Sequence, residues 1–138
     1  WEQQMSDNIA LTQSDLVNRL LDNLPSGYTK ATVNTPNSPF TTPSDTKWLR
    51  ATVIPFNTVS DAATGCFKIT NGLFVVDSFY PKGSYDNAQL VDHQAIKALF
   101  ENETFGNTQC QTVSTLTIGD TGTWYQIQSS IEFYMEGQ

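Results

Sequence analysis

Histidine, cysteine and basic side chains are scarce in this chain, and each shortage closes off a class of function. One histidine, His93, cannot build a multi-histidine metal centre. It lies between Asp92 and Gln94, off the apolar face of a predicted helix, and is expected to be solvated rather than a general base. The two cysteines, Cys66 and Cys110, match no zinc or thioredoxin spacing. They read as two small apolar strand residues rather than a bridge. Seven basic residues stand against fourteen acidic ones, for a net charge of -7. The bases are scattered, so nothing forms the cationic stripe that phosphate binding requires. An acidic surface repels DNA, yet suits a wall past which DNA slides without sticking. No apolar run is long enough to span a bilayer, so no membrane partner is expected. The opening residues, WEQQMSDNIALTQSD, lack the basic and apolar regions of a signal peptide. Trp1 is not a translation start, so either residues precede it or Met5-Ser6-Asp7 marks the beginning.

What the chain does have is the composition of a globular fold, 38% hydrophobic and 12% aromatic. Its length suits one domain over residues 1–138. Thr12-Gln13-Ser14-Asp15 reads as a capping box. Leu16, Val17, Leu20, Leu21 and Leu24 follow at helical spacing, until Pro25 and Gly27 stop the helix. Residues 28–46 are rich in Thr, Asn, Pro and Ser, and Pro36, Pro39 and Pro43 make an irregular loop around a short strand-like Ala31-Thr32-Val33. Phe40 is the strong apolar residue in that loop and either tucks into its own core or docks on a neighbour.

From Lys47 to Pro55 the residues alternate, with Leu49, Ala51 and Val53 on one face and Trp48, Arg50, Thr52 and Ile54 on the other. Phe56 to Thr64 reads as a polar loop. Cys66 to Thr70 and Leu73 to Phe79 flank Asn71-Gly72, a strong hairpin signal that predicts a three-stranded meander. After Tyr80-Pro81-Lys82-Gly83, Ser84 or Asp86 caps a second predicted helix. Its apolar face is Ala88, Val91, Ala95, Ala98 and Leu99, with Ile96 and Phe100 at the flank. Thr108 to Ile118 and Trp124 to Tyr134 form a last hairpin across residues 119–122, with Tyr125, Ile127, Ile131 and Phe133 turned inward. The expected fold is α+β, an antiparallel or mixed sheet of about five strands in α-βββ-α-ββ order, with two helices packed on one face.

A search for chemistry finds little. There is no Gly-x-Ser-x-Gly elbow, Walker loop or dinucleotide loop. Asp120 sits in a turn without the alternating acids of an EF-hand. Asp77 is the one acid in a strongly apolar strand, the best place for a perturbed carboxyl. Glu101, Glu103, Glu132 and Glu136 offer no partner obviously opposite it. No catalytic, metal-binding or cofactor-binding residues are expected.

The order of weak motifs is more telling. Asn37, Pro39 and Phe40 form an N-P-F-type loop before a strand opening Trp48-Leu49-Arg50. A strand begun by Gly65 and the later Gly72 lead to Tyr80-Pro81-Lys82-Gly83. An alanine-rich helix from Ala88 to Phe100 follows, then Trp124 to Tyr134. In this order the chain resembles the tail-terminator proteins of long-tailed bacteriophages over nearly its whole length. Tyr85 departs from the pattern, standing where the family often has a second glycine. The resemblance implies a virion structural protein, not an enzyme, that forms a ring, usually a hexamer, on the end of the tail tube. Such a ring halts tube growth and presents the surface that head and neck proteins join, with DNA passing through its lumen. Its implied partners are further copies of itself, the tail-tube protein and a head–tail connector, at the tail–neck junction of a particle assembled in the host cytoplasm. A closed ring needs two different patches per subunit. The candidates are Phe40, Trp48, Arg50, Tyr80, Pro81, Gly83 and Trp124. The rival readings are a connector or tail-tube subunit of related fold and, from another class, a small acidic-site hydrolase.

Overall fold

The computed structural model describes residues 2–36, 38–60, 68–83, 87–106 and 108–137. Helix α1 spans Glu2–Asp22 and helix α2 spans Ala88–Phe100. The strands are β1 (Val33–Asn34), β2 (Trp48–Ser60), β3 (Lys68–Pro81), β4 (Thr104–Phe105), β5 (Thr108–Thr121) and β6 (Trp124–Gly137). They form one sheet in the order β1-β2-β3-β6-β5-β4, antiparallel except for the β1–β2 pair. The α+β class is as expected, but the sheet has six strands rather than about five.

The helix-bearing face of the sheet holds the core. Leu16 and Leu20 of α1 and Ile96 and Phe100 of α2 are fully buried against Leu49, Phe74, Val76, Ile131 and Phe133. At about 25 cal/mol per Å² of apolar area, this contact is the main stabilising force between helices and sheet. The alternation expected in β2 holds, since Leu49 and Ala51 are buried in this cluster. Ile127, Ile131 and Phe133 also turn inward, whereas Tyr125 lies 38% exposed near the strand end.

Several local expectations fail for identifiable reasons. α1 starts well before Thr12, so Thr12 is not a cap. It is buried inside the helix, donating to Met135 Sδ and accepting from Thr108 Oγ1. Asn71-Gly72 is not a turn but the interior of β3, where Gly72 pairs with both Pro55 and Phe133. A Cβ there would lie 2.7 Å from the Ile54 carbonyl oxygen and 2.7 Å from the Phe133 ring, so close approach requires this glycine. The two short strands predicted around it are therefore one, and the predicted meander is a pair of long strands. β2 runs on to Ser60 through the stretch expected to be a polar loop. Among the described residues of 28–46, a 3-10 turn occupies Lys30–Thr32 and Val33–Asn34 is strand.

α2 is rotated from its predicted orientation. Its buried residues are Gln89, Asp92, His93, Ile96 and Phe100, while Val91 is 56% exposed and Ala88, Ala95 and Ala98 face outward. Hydrogen bonds to the sheet outweigh the smaller apolar gain of burying alanines. Its N-cap is Asn87. Ser84, Asp86 and Tyr85 lie outside the described residues, as do Asn37, Gly65 and Cys66.

Candidate subunit and partner interface

The helix-free face carries an aromatic cluster at the end where β2 begins and β3 finishes. Trp48 stacks on Phe79 at 4.2 Å between ring centroids, with 13° between the planes. Trp124 meets Trp48 edge-on at 6.0 Å, and Phe40 closes over it at 5.3 Å. Such ring pairs add roughly 0.5–1.5 kcal/mol each beyond area burial. Trp48 pairs with Phe79 across β2–β3, and Pro81 pairs with Trp124 across β3–β6. The ladder thus brings together residues far apart in sequence. Phe40 and Trp124 remain half-buried, whereas Trp48 is 7% exposed. Its Nε1 has no hydrogen-bond partner among the described residues.

One row along the same face lies a polar cluster. The carboxylate of Asp77, 2% exposed, accepts from Gln126 Nε2 at 2.8 Å, Gln128 Nε2 at 2.9 Å and Arg50 Nη2 at 3.2 Å. The Arg50 guanidinium also lies over the Phe79 ring. Two amide donors and the Arg50 guanidinium hold this carboxylate in place on the sheet. The sequence singles out Asp77 and Arg50, and strand alternation puts both glutamines on one face. Their convergence depends on the register among β2, β3 and β6, which no local pattern encodes.

Tyr80 points the other way, into the helix–sheet joint. Its hydroxyl donates to Asp92 Oδ2 at 2.5 Å, beside Tyr28, whose hydroxyl donates to the same oxygen at 2.9 Å. Lys47 Nζ completes the group 3.3 Å from that oxygen and 4.3 Å from the Tyr28 ring centroid. Burial, then the Asp92 charge, drives the Tyr28 phenol well above its usual range. Gly83, at φ +88°, makes the exposed turn after β3. The Lys82 amide in this turn donates to the Thr123 carbonyl, which sets it beside the β5–β6 turn. Phe40, Trp48, Arg50, Pro81 and Trp124 therefore gather at one end of the helix-free face. Tyr80 lies on the opposite face, and Gly83 lies in the neighbouring turn.

His93 is not solvated. It is 2% exposed, with Nε2 2.6 Å from Ser78 Oγ and Nδ1 2.6 Å from Ser129 Oγ. Burial lowers its pKa to about 4, against the weaker opposing pull of Asp92 and Asp77. A serine within reach of an imidazole is the geometry of an activated nucleophile. Here Ser78 is fully buried, and the second imidazole nitrogen faces a hydroxyl rather than a carboxylate. The arrangement ties α2 to β3 and β6. Glu101 pairs with Lys97 at 3.8 Å and accepts from the Val113 amide. Among the described residues, no cluster of three or more His, Cys, Asp or Glu could hold a metal ion.

Comparison with known proteins accords with this architecture. No curated protein matches the sequence significantly. A solved structure 23% identical superposes with a TM-score of 0.61, covering 91% of this chain and 95% of its own. At that identity the likeness speaks for the fold. The family described as phage tail terminator protein matches residues 14–133, a span that takes in the C-terminal part of α1, β2 and β3, α2, β5 and most of β6. The chain belongs to this phage tail terminator family, whose members are structural proteins of the virion.

Proposed function

We propose that copies of this chain form a closed ring on the last ring of the tail tube, stop its polymerisation and present the surface that head and neck proteins join. The family match across residues 14–133 carries this reading. A ring of six suits the family resemblance, and its contacts are heterologous, so each subunit offers two unlike surfaces. The half-buried Phe40, Arg50 and Trp124 supply one of them at the end of the helix-free face. Trp48 supports that surface from beneath, and Pro81 and Gly83 flank it. Tyr80 contributes only by fixing the strand end. The net charge of -7 lets DNA pass through the lumen without adhering. The chain works as a structural part at the tail–neck junction, without catalysis, after assembly in the host cytoplasm.

Electron microscopy of particles made without this chain tests the reading. Overlong tails unattached to heads are expected. Tails of normal length joined to heads would overturn it. A connector would instead leave normal tails beside filled heads, and a tube subunit would leave no tails.

A further inference from the structure

Among the described residues, both edges of the sheet are largely open. β4 covers β5 only at Thr108 and Gln109, and the adjoining segment caps Gln111 and Val113 through the Asn102 amide and the Glu101 carboxylate. From Ser114 onward no described strand pairs with the outer side of β5. Since the Val113 amide points outward to Glu101, strand periodicity turns the Thr115 and Thr117 amides outward as well. Residues 114–118 are all exposed and contain no proline and no charge. Leu116 and Ile118 are 59% and 44% exposed. Soluble proteins blunt such edges with lysine, proline or a cover; this stretch holds neither residue, and no described strand covers it.

The opposite edge is β2. β1 covers it only at Leu49 and Arg50, which leaves Ala51–Ser60 without an outer partner among the described strands. Ile54, 42% exposed, stands on the same sheet face as Leu116. The strands alternate in direction across β2-β3-β6-β5, so β2 and β5 run antiparallel to each other. A second copy turned about an axis near the strands would therefore set its β2 antiparallel to this β5.

The open stretches are also staggered. Leu116, Gln128, Asp77 and Arg50 stand in one row, so the open part of β5 is level with the covered part of β2. An offset of about six residues across four strands corresponds to a strand tilt of roughly 45°, near the 35–45° that closing a sheet requires.

We infer that the open edge of β5, Ser114 to Ile118, pairs with the open edge of β2 on a second copy of this chain, joining neighbouring sheets into one antiparallel ladder. The inference rests on the ring reading and specifies its seam. Two-fold pairing of β5 with β5 would stop at a dimer and leave β2 open, whereas β5-to-β2 pairing uses both edges and repeats.

Native mass spectrometry of the purified chain tests it, with Leu116→Lys and Thr117→Pro blocking the β5 edge and Ile54→Lys blocking β2. Far-ultraviolet circular dichroism checks that each is folded, and Thr117→Pro serves if Leu116→Lys is not. Thr117→Pro should self-associate at least about tenfold more weakly than the unaltered chain, the value of one lost interstrand hydrogen bond with its partner stranded. Each lysine variant should also associate more weakly, because its charge opposes edge pairing. Mixing Leu116→Lys with Ile54→Lys should restore one good seam and yield heterodimers that do not grow. Three results would overturn the inference: unimpaired assembly of the variants, a mixture no better than its components, or an unaltered chain that stays monomeric to about 1 mM. Unimpaired variants that still end tails correctly would remove this seam and leave the ring standing. Normal tails in the absence of the chain would remove the ring reading itself.

Discussion

Gly72 lies so close to Phe133 across the β3–β6 ladder that a Cβ added to it would sit 2.7 Å from the ring. The same atom would meet the Ile54 carbonyl on the other side, so neither neighbour gives way freely. Gly72→Ala is therefore expected to destabilise the fold by about 1–3 kcal/mol, the usual cost of overpacking. Chemical denaturation checks this, and a variant as stable as the parent would refute the close approach.

Stability should fall with acid because of His93. Its folded pKa, lowered to about 4, lies below the unfolded value of 6.5, so the unfolded chain binds the proton first as pH drops. Stability is thus lost between pH 6.5 and pH 4, by roughly 3 kcal/mol at 1.36 kcal/mol per unit. Denaturation curves of the parent and His93→Gln, measured across that window, isolate this part from the carboxylates. The variant should show the shallower slope.

Two aromatic substitutions should separate support from surface. Trp48→Ala removes a 7%-exposed indole from between Phe40, Phe79 and Trp124, and should cost about 3–5 kcal/mol of monomer stability. Phe40→Ala, on a half-buried loop, should leave the melting temperature within a few degrees while weakening assembly. Melting curves paired with assembly mass distinguish the two.

Cys110 should resist alkylation in the native chain. Burial raises its thiol pKa to about 12, so almost no thiolate forms at neutral pH. Iodoacetamide labelling followed by peptide mapping should show Cys110 modified only after denaturation.

How much of this was legible beforehand depended on whether the signal was local or spread across the sheet. Leu16 and Leu20, and the alternation of Leu49 and Ala51, were readable because helical and strand periods repeat within a few residues. Asn71-Gly72 misled because its local preference for a turn was overridden by partners on two other strands. α2 misled because its predicted apolar stripe is built mostly of alanines, whose burial is worth little. Its polar stripe has matched acceptors and donors on β3 and β6. The Trp48 cluster was visible only as separate aromatics. Phe40, Phe79 and Trp124 are brought to it by ladder register, which the chain specifies collectively.

The polar stripe of α2 also sets how the helix may sit. A greasy stripe tolerates sliding or turning by a fraction of a residue, because apolar contacts have no direction. Gln89 reaches the Ser78 and Tyr125 carbonyls, His93 spans Ser78 and Ser129, and Asp92 holds two phenols. Only one rotation and one height of the helix satisfy all of these together, so the joint acts as a keyed fitting. Every copy then presents the same outline to whatever it meets.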